Sequence, residues 1–158
     1  MVASFYLADE AAMLAFGAEM AHWLNPGMLV FLEGELGAGK TTLTRGILRG
    51  FGYNDNVKSP TYTLVESYQL ADFTLYHFDL YRLSDPEELE YAGMRDYLDS
   101  NALVLIEWPQ RGQGYLPAPD LRIRIYPEPT GRRLKLSVDS DQALLIINKL
   151  NNKFSLLD

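Results

Sequence analysis

The sequence predicts an α/β fold in three layers, a mixed parallel and antiparallel sheet flanked by helices. Three observations point to it. Met28–Leu32 is a continuous apolar run of strand length, the pattern of a strand buried on both faces, and a glycine-rich turn and a helix follow it. Ala102–Ile106 is a second such run. Around these runs lie short strand-like segments spaced as hairpins. Strand–helix alternation early in the chain, with hairpins later, gives a mixed sheet.

Each element has its own signal. Asp9 is placed to cap a helix whose apolar stripe is Met13, Phe16, Met20 and Trp23. Asn25-Pro26-Gly27 stops it. After the first apolar strand comes the turn Gly34 to Gly39. The helix that starts near Lys40 sets Leu43, Ile47 and Phe51 on one face, and Gly50 and Gly52 end it. Residues 61–70 and 73–81 read as two strands joined by a turn near Ala71-Asp72. In the second strand Phe73, Leu75, His77 and Asp79 share one face, and Tyr76, Phe78 and Leu80 the other. Ser84-Asp85-Pro86-Glu87 opens a helical stretch, proline being favoured in a first turn. Leu121–Tyr126 and Arg133–Val138 form an antiparallel pair around Pro127-Glu128-Pro129-Thr130-Gly131, and a last helix covers about Asp141–Leu150. The chain has 158 residues and no repeats or low-complexity tracts, so residues 1–158 are expected to form one domain.

Composition narrows the chemistry. At 47% apolar the chain can build a core without staples. It has no cysteine, which excludes disulfides, thiolate-held metals and cysteine nucleophiles. The only histidines are His22 and His77, too few for a multi-histidine metal centre. The N-terminal segment has no basic start and no unbroken apolar run, so neither a signal peptide nor a membrane helix is expected, and the protein is expected in the cytoplasm. A formal net charge of −7 argues against a free-standing nucleic-acid binder. That charge is uneven. Residues 79–107 hold eight acids and two bases, whereas residues 111–135 hold six bases and two acids, leaving a basic stretch that can face an anion.

Gly34-Glu35-Leu36-Gly37-Ala38-Gly39-Lys40-Thr41 fits the phosphate-loop pattern G-x-x-x-x-G-K-[ST]. The glycines let the backbone curl until successive N–H groups point at one anion, and the helix behind adds its positive end. Lys40 is then placed to reach the β- and γ-phosphates, and the Thr41 hydroxyl to ligate magnesium. The strand before the motif and the helix after it are the context the motif requires, which makes the expected fold P-loop NTPase-like. Such a site needs a carboxylate at the end of a neighbouring buried strand to hold magnesium. Two candidates exist: Glu107, which follows four apolar residues, and Asp79, whose run is interrupted by His77. Thr61, in the loop Ser59-Pro60-Thr61, is placed to sense the γ-phosphate. Trp108 is read as an anchor beside the nucleotide loops or as a partner contact, and His77 as a structural histidine rather than a base. Arg132 and Arg133 sit on a tight turn, placed for phosphate, adenine or a partner. Adenine contacts are looked for around Ala8–Met13.

Four segments in order carry a resemblance. These are Leu32 to Thr42, Ser59-Pro60-Thr61-Tyr62-Thr63, His77-Phe78-Asp79-Leu80-Tyr81-Arg82 and Ile106-Glu107-Trp108-Pro109. Together they resemble the small bacterial P-loop ATPases of the TsaE (YjeE) family, over about residues 5–140. The resemblance implies a component of tRNA threonylcarbamoyladenosine (t6A) modification that binds ATP and Mg2+. Such a component is a weak ATPase alone and is activated by the partners TsaB and TsaD, which carry the tRNA. It implies a phosphate loop of Gly37, Ala38, Gly39, Lys40, Thr41 and Thr42 with Trp108 beside the site, to which the motif itself adds Gly34 and the basic turn adds Arg132 as expected nucleotide contacts. Magnesium would be held by Thr41, Glu107 and Asp79, and catalysis would fall to Lys40, Asp79, Glu107 and the switch residue Thr61. A monomer is expected when the partners are absent. Two other readings share the loop. A small-molecule kinase would need an arginine-rich lid and an acceptor pocket. A non-hydrolysing nucleotide sensor would need the loop and Lys40 but no hydrolytic acid.

Overall fold

The computed structural model describes residues 1–154, and among these the two apolar runs lie at the middle of one sheet. Its strands are β1 (Val2–Leu7), β2 (Leu29–Glu33), β3 (Val65–Gln69), β4 (Thr74–Asp79), β5 (Leu103–Glu107), β6 (Leu121–Glu128) and β7 (Gly131–Val138). They lie in the order β1-β7-β6-β2-β5-β4-β3. β6, β2, β5 and β4 run parallel, while β1, β7 and β3 add antiparallel edges. The helices are α1 (Glu10–Ala21), α2 (Lys40–Gly50), α3 (Glu88–Tyr91), α4 (Met94–Asp99) and α5 (Asp141–Asn151). The mixed three-layer α/β architecture read from the sequence is the one observed.

The pleat divides the core. Val30, Leu32, Leu103, Leu105 and Leu75 point to the layer of α1, α2 and α5, while Phe31, Val104, Ile106 and Phe78 point to the layer of α3 and α4. Both α1 and α5 start as their sequences imply. The Asp9 carboxylate accepts the Ala12 N–H at 2.8 Å, and the Ser140 hydroxyl accepts the Ala143 N–H at 3.2 Å.

Three details differ from the sequence reading. β1 was not anticipated, although Ala3, Phe5 and Leu7 alternate inward against outward neighbours. The first strand expected over 61–70 starts only at Val65. Residues 60–64 instead form a turn closed by Leu64 N–H to the Pro60 carbonyl at 2.9 Å, and Leu64 is left-handed at φ +71°. The helical stretch after Pro86 is two short helices, broken where Gly93 takes φ +81°. Gly50 is the last residue of α2 and Gly52 follows at φ +91°, as the sequence implies; a Cβ at Gly50 would lie 2.6 Å from the Ala18 carbonyl, so this glycine also packs closely on α1.

Candidate functional site

The carboxyl ends of the parallel strands carry the acids. Across the ladder Leu32 pairs with Glu107, and Glu107 with Asp79. Glu107 and Asp79 lie two residues beyond Leu105 and His77, so both project on the α2 side of the sheet. The same edge of β2 runs into the glycine turn, where ligands gather in open α/β sheets.

The turn is built for an anion. Gly37 and Gly39 take φ +79° and +116°, left-handed values that side chains resist. Gly39 is the N-terminal flank of α2 and, unlike Asp9 and Ser140, gives its helix no side-chain cap. The first N–H groups of α2 are thus left for an outside acceptor, at the positive end of the helix.

Lys40 sits at the centre and is only 5% exposed. Its ammonium donates to the Gly34 carbonyl at 2.6 Å, lies 3.9 Å from Glu107 Oε1, and stands 4.2 Å over the Trp108 ring. Burial holds this amine below the usual lysine range, and the Glu107 and Asp79 carboxylates oppose that shift. Glu107 is buried, with Oε2 2.6 Å from His77 Nε2. Asp79 accepts the Tyr81 N–H on Oδ1 at 2.9 Å and the Thr61 hydroxyl on Oδ2 at 3.0 Å. Thr61 in turn lies 2.7 Å from Ser59 Oγ. Trp108, directly after Glu107, is left-handed at φ +56° and packs its ring on Tyr81 at 4.9 Å between centroids. Non-glycine residues held in that region are found where surrounding structure over-determines them, often at functional sites.

One cavity of about 320 Å³ brings together Lys40, Thr41, Thr42, Thr61, Asp79, Glu107 and Trp108, with Gly37 and Gly39. The three expected site residues outside it support the loop. Gly34 accepts from Lys40, and Arg132 Nε donates to the Ala38 carbonyl at 3.0 Å. Arg132 also lines a second cavity of about 310 Å³ with Asp9, Glu10, Met13, Thr130 and the far side of Gly37, Gly39 and Thr42. The basic stretch is largely engaged inside the fold. Arg122 and Arg124 both reach Glu33, at 2.9 and 3.4 Å, and Arg133 reaches Glu128 at 2.7 Å. Arg82 stacks on Tyr62, 4.2 Å from its ring centroid, and no arginine lines the first cavity among the described residues.

Sequence reasoning missed the bond between His77 and Glu107. The signal was half present, because alternation puts His77 on the face of Asp79. Among the described residues no group of three or more His, Asp or Glu side chains converges as a metal site. Two carboxylates and threonine hydroxyls are instead the partial oxygen set that magnesium takes when phosphates complete its shell, so the donors fit that ion. No helix among the described residues is long and apolar enough to cross a membrane.

A buried strand, a glycine loop and an uncapped helix, facing two strand-end acids across a parallel sheet, define a P-loop NTPase-like α/β protein. Comparison with known proteins narrows this. Residues 7–134 match the family model described as threonylcarbamoyl adenosine biosynthesis protein TsaE. The tRNA threonylcarbamoyladenosine biosynthesis protein TsaE of Haemophilus influenzae is 48% identical over 152 residues, covering 93% of this chain and 96% of the relative. That of Rickettsia typhi is 36% identical over 96% of this chain and 98% of its own. The crystal structure of Bacillus subtilis YdiB superposes with a TM-score of 0.82 at 25% identity, over 96% of this chain and 95% of that one. The chain belongs to the TsaE family, and its role lies in the biosynthesis of threonylcarbamoyladenosine in tRNA.

Proposed function

We propose that this chain is the ATP-binding and ATP-hydrolysing component of that modification machinery, slow alone and activated by TsaB and TsaD. We place it in the cytoplasm as a single domain over residues 1–158, monomeric without its partners, with tRNA held by the complex. The observation that carries this reading is the convergence of Lys40, Asp79, Glu107 and Thr61 on one cavity at the mouth of the glycine loop. Magnesium, held by Thr41, Glu107 and Asp79, would supply charge neutralisation for the phosphates. The chain's own residues do the rest. The loop amides and Lys40 take the phosphate charge, the ammonium having three N–H donors of which one is spent on the Gly34 carbonyl. Glu107 presents Oε1 toward Lys40 and, with Thr41, serves the cation. Asp79 holds the switch residue Thr61, and also Tyr81, so each of its oxygens has a partner within the chain. The base and ribose fit the second cavity, between Asp9–Met13 and Thr130–Arg132.

Among the described residues no arginine lines the cavity at the phosphate side, and a missing finger costs on the order of 10³–10⁵ in rate. Turnover alone is therefore expected to be slow. The test is phosphate release by the chain alone and with TsaB, TsaD and tRNA. Turnover should rise steeply with the partners and vanish in Lys40→Ala and Glu107→Ala. Stimulated turnover that survives both substitutions refutes the assignment. ATP binding and tRNA modification that survive the loss of both acids would favour a nucleotide sensor.

A further inference from the structure

We infer that His77 is a positioning residue, whose imidazole fixes the Glu107 carboxylate so that one oxygen is held by the ring and the other is presented to Lys40 and the cation. This rests on the magnesium-nucleotide reading above.

The two strand-end acids are held by different means. Asp79 has a short side chain, and both its oxygens are engaged, by a backbone N–H and by Thr61. Glu107 has one more rotatable bond and is only 3% exposed, so it lacks bulk water to satisfy it. Its partners are split. Oε2 meets His77 Nε2 at 2.6 Å, and Oε1 lies 3.9 Å from the Lys40 ammonium, beyond hydrogen-bond reach. Lys40 is itself engaged with Gly34, so the restraint on the carboxylate comes from His77.

The direction of the bond is also set. His77 is fully buried, and its Nδ1 has no partner among the described residues. A neutral imidazole carries one N–H, which is satisfied only on Nε2, where the carboxylate accepts it. The β4–β5 register brings the two together, because His77 pairs with Leu105 and Glu107 lies two residues further on the same face. Hydrogen-bonded groups behind a ligating side chain orient it, and their loss typically costs about 10–100-fold in metal affinity.

The experiment uses the full chain with ADP, and Mn2+ as the probe cation. Free Mn2+ is read by its paramagnetic resonance signal, and metal-free ADP affinity by calorimetry in EDTA. His77→Leu should weaken Mn2+ binding to the ADP complex by about 10–100-fold and leave metal-free ADP affinity unchanged. His77→Gln carries an N–H at nearly the reach of Nε2 and should restore most of the loss. His77→Asn, one methylene shorter, should not. The Gln and Asn variants decide the matter alone if the Leu variant does not fold. Wild-type Mn2+ affinity in all three, or equal affinity in folded Gln and Asn variants, overturns the role of His77. An unmodified chain whose ADP complex takes up no Mn2+ overturns the magnesium reading itself, a separate result.

Discussion

The two layers that cover the sheet use glycine for opposite reasons. On one side α1 and α2 touch backbone to backbone. A Cβ at Gly46 would stand 2.6 Å from the Leu14 carbonyl, and one at Gly17 would stand 2.7 Å from the Leu43 carbonyl. Gly46 is ordinary helix, and it is glycine because there is no room. On the other side Gly93 separates α3 from α4 at φ +81°, with its nearest neighbour, Asp96 Oδ2, 3.9 Å from where a Cβ would be. It has room and is glycine because of its backbone. A groove of about 690 Å³ lies beside these two short helices. The difference follows the work each layer does. α2 begins at Lys40, so a helix that shifts moves the phosphate loop, and close packing on α1 keeps it in place. The α3–α4 layer carries none of the candidate site.

Substituting the two glycines breaks that comparison, or sharpens it. Gly46→Val must push α1 and α2 apart against backbone atoms. Overpacking of this kind costs about 3 kcal/mol, a fall in Tm of roughly 6–12 °C for a domain of this size. It should also weaken nucleotide binding, because the displaced helix carries the loop. Gly93→Ala meets no steric obstacle and incurs only the left-handed penalty of about 1–2 kcal/mol. Nucleotide affinity should be unaffected. Urea denaturation and ADP calorimetry on both variants check this pair. If Gly93→Ala proved the more damaging, the tight layer would not be the mechanical support of the loop.

What could be read from the sequence divides along a related line. Segments whose signal is local were legible. Met28–Leu32 with the glycine loop, the cap at Asp9, and the face alternation of residues 73–80 each depend on neighbours a few positions away. The clustering of Lys40, Asp79, Glu107 and Thr61 was legible too, because a P-loop dictates where its acids must stand. Features that depend on remote pairing were not. β1 exists because β7 is there to pair with it, and Tyr6 meets Arg133 across that ladder. The bond between His77 and Glu107 needs β4 beside β5. Arg132 behind Ala38 needs the β6–β7 hairpin to fold against the loop. The break at Gly93 is a different failure: the opening Ser84–Glu87 announces a helix but says nothing of the glycine that turns left-handed within it.

The smallest expected effect tests how far charge holds α1 to the segment that follows α5. Lys153 donates to Glu19 of α1 at 3.0 Å, and this hydrogen bond holds the Glu19 carboxyl below its ordinary range. A carboxylate with a depressed folded value binds fewer protons folded than unfolded. Its contribution is therefore present above the unfolded value near about 4.3 and is lost as pH falls through the folded one. Lys153 is two-thirds exposed, so water and salt screen the pair and Lys153→Ala should cost less than about 1 kcal/mol. Melts of the two proteins should differ slightly at pH 7 and converge in acid. A gap larger than that of Gly93→Ala, or one that does not narrow as pH falls, would mean that α1 is held against its neighbours by charge as well as by fit. The steric account of the layer supporting the phosphate loop would then be incomplete.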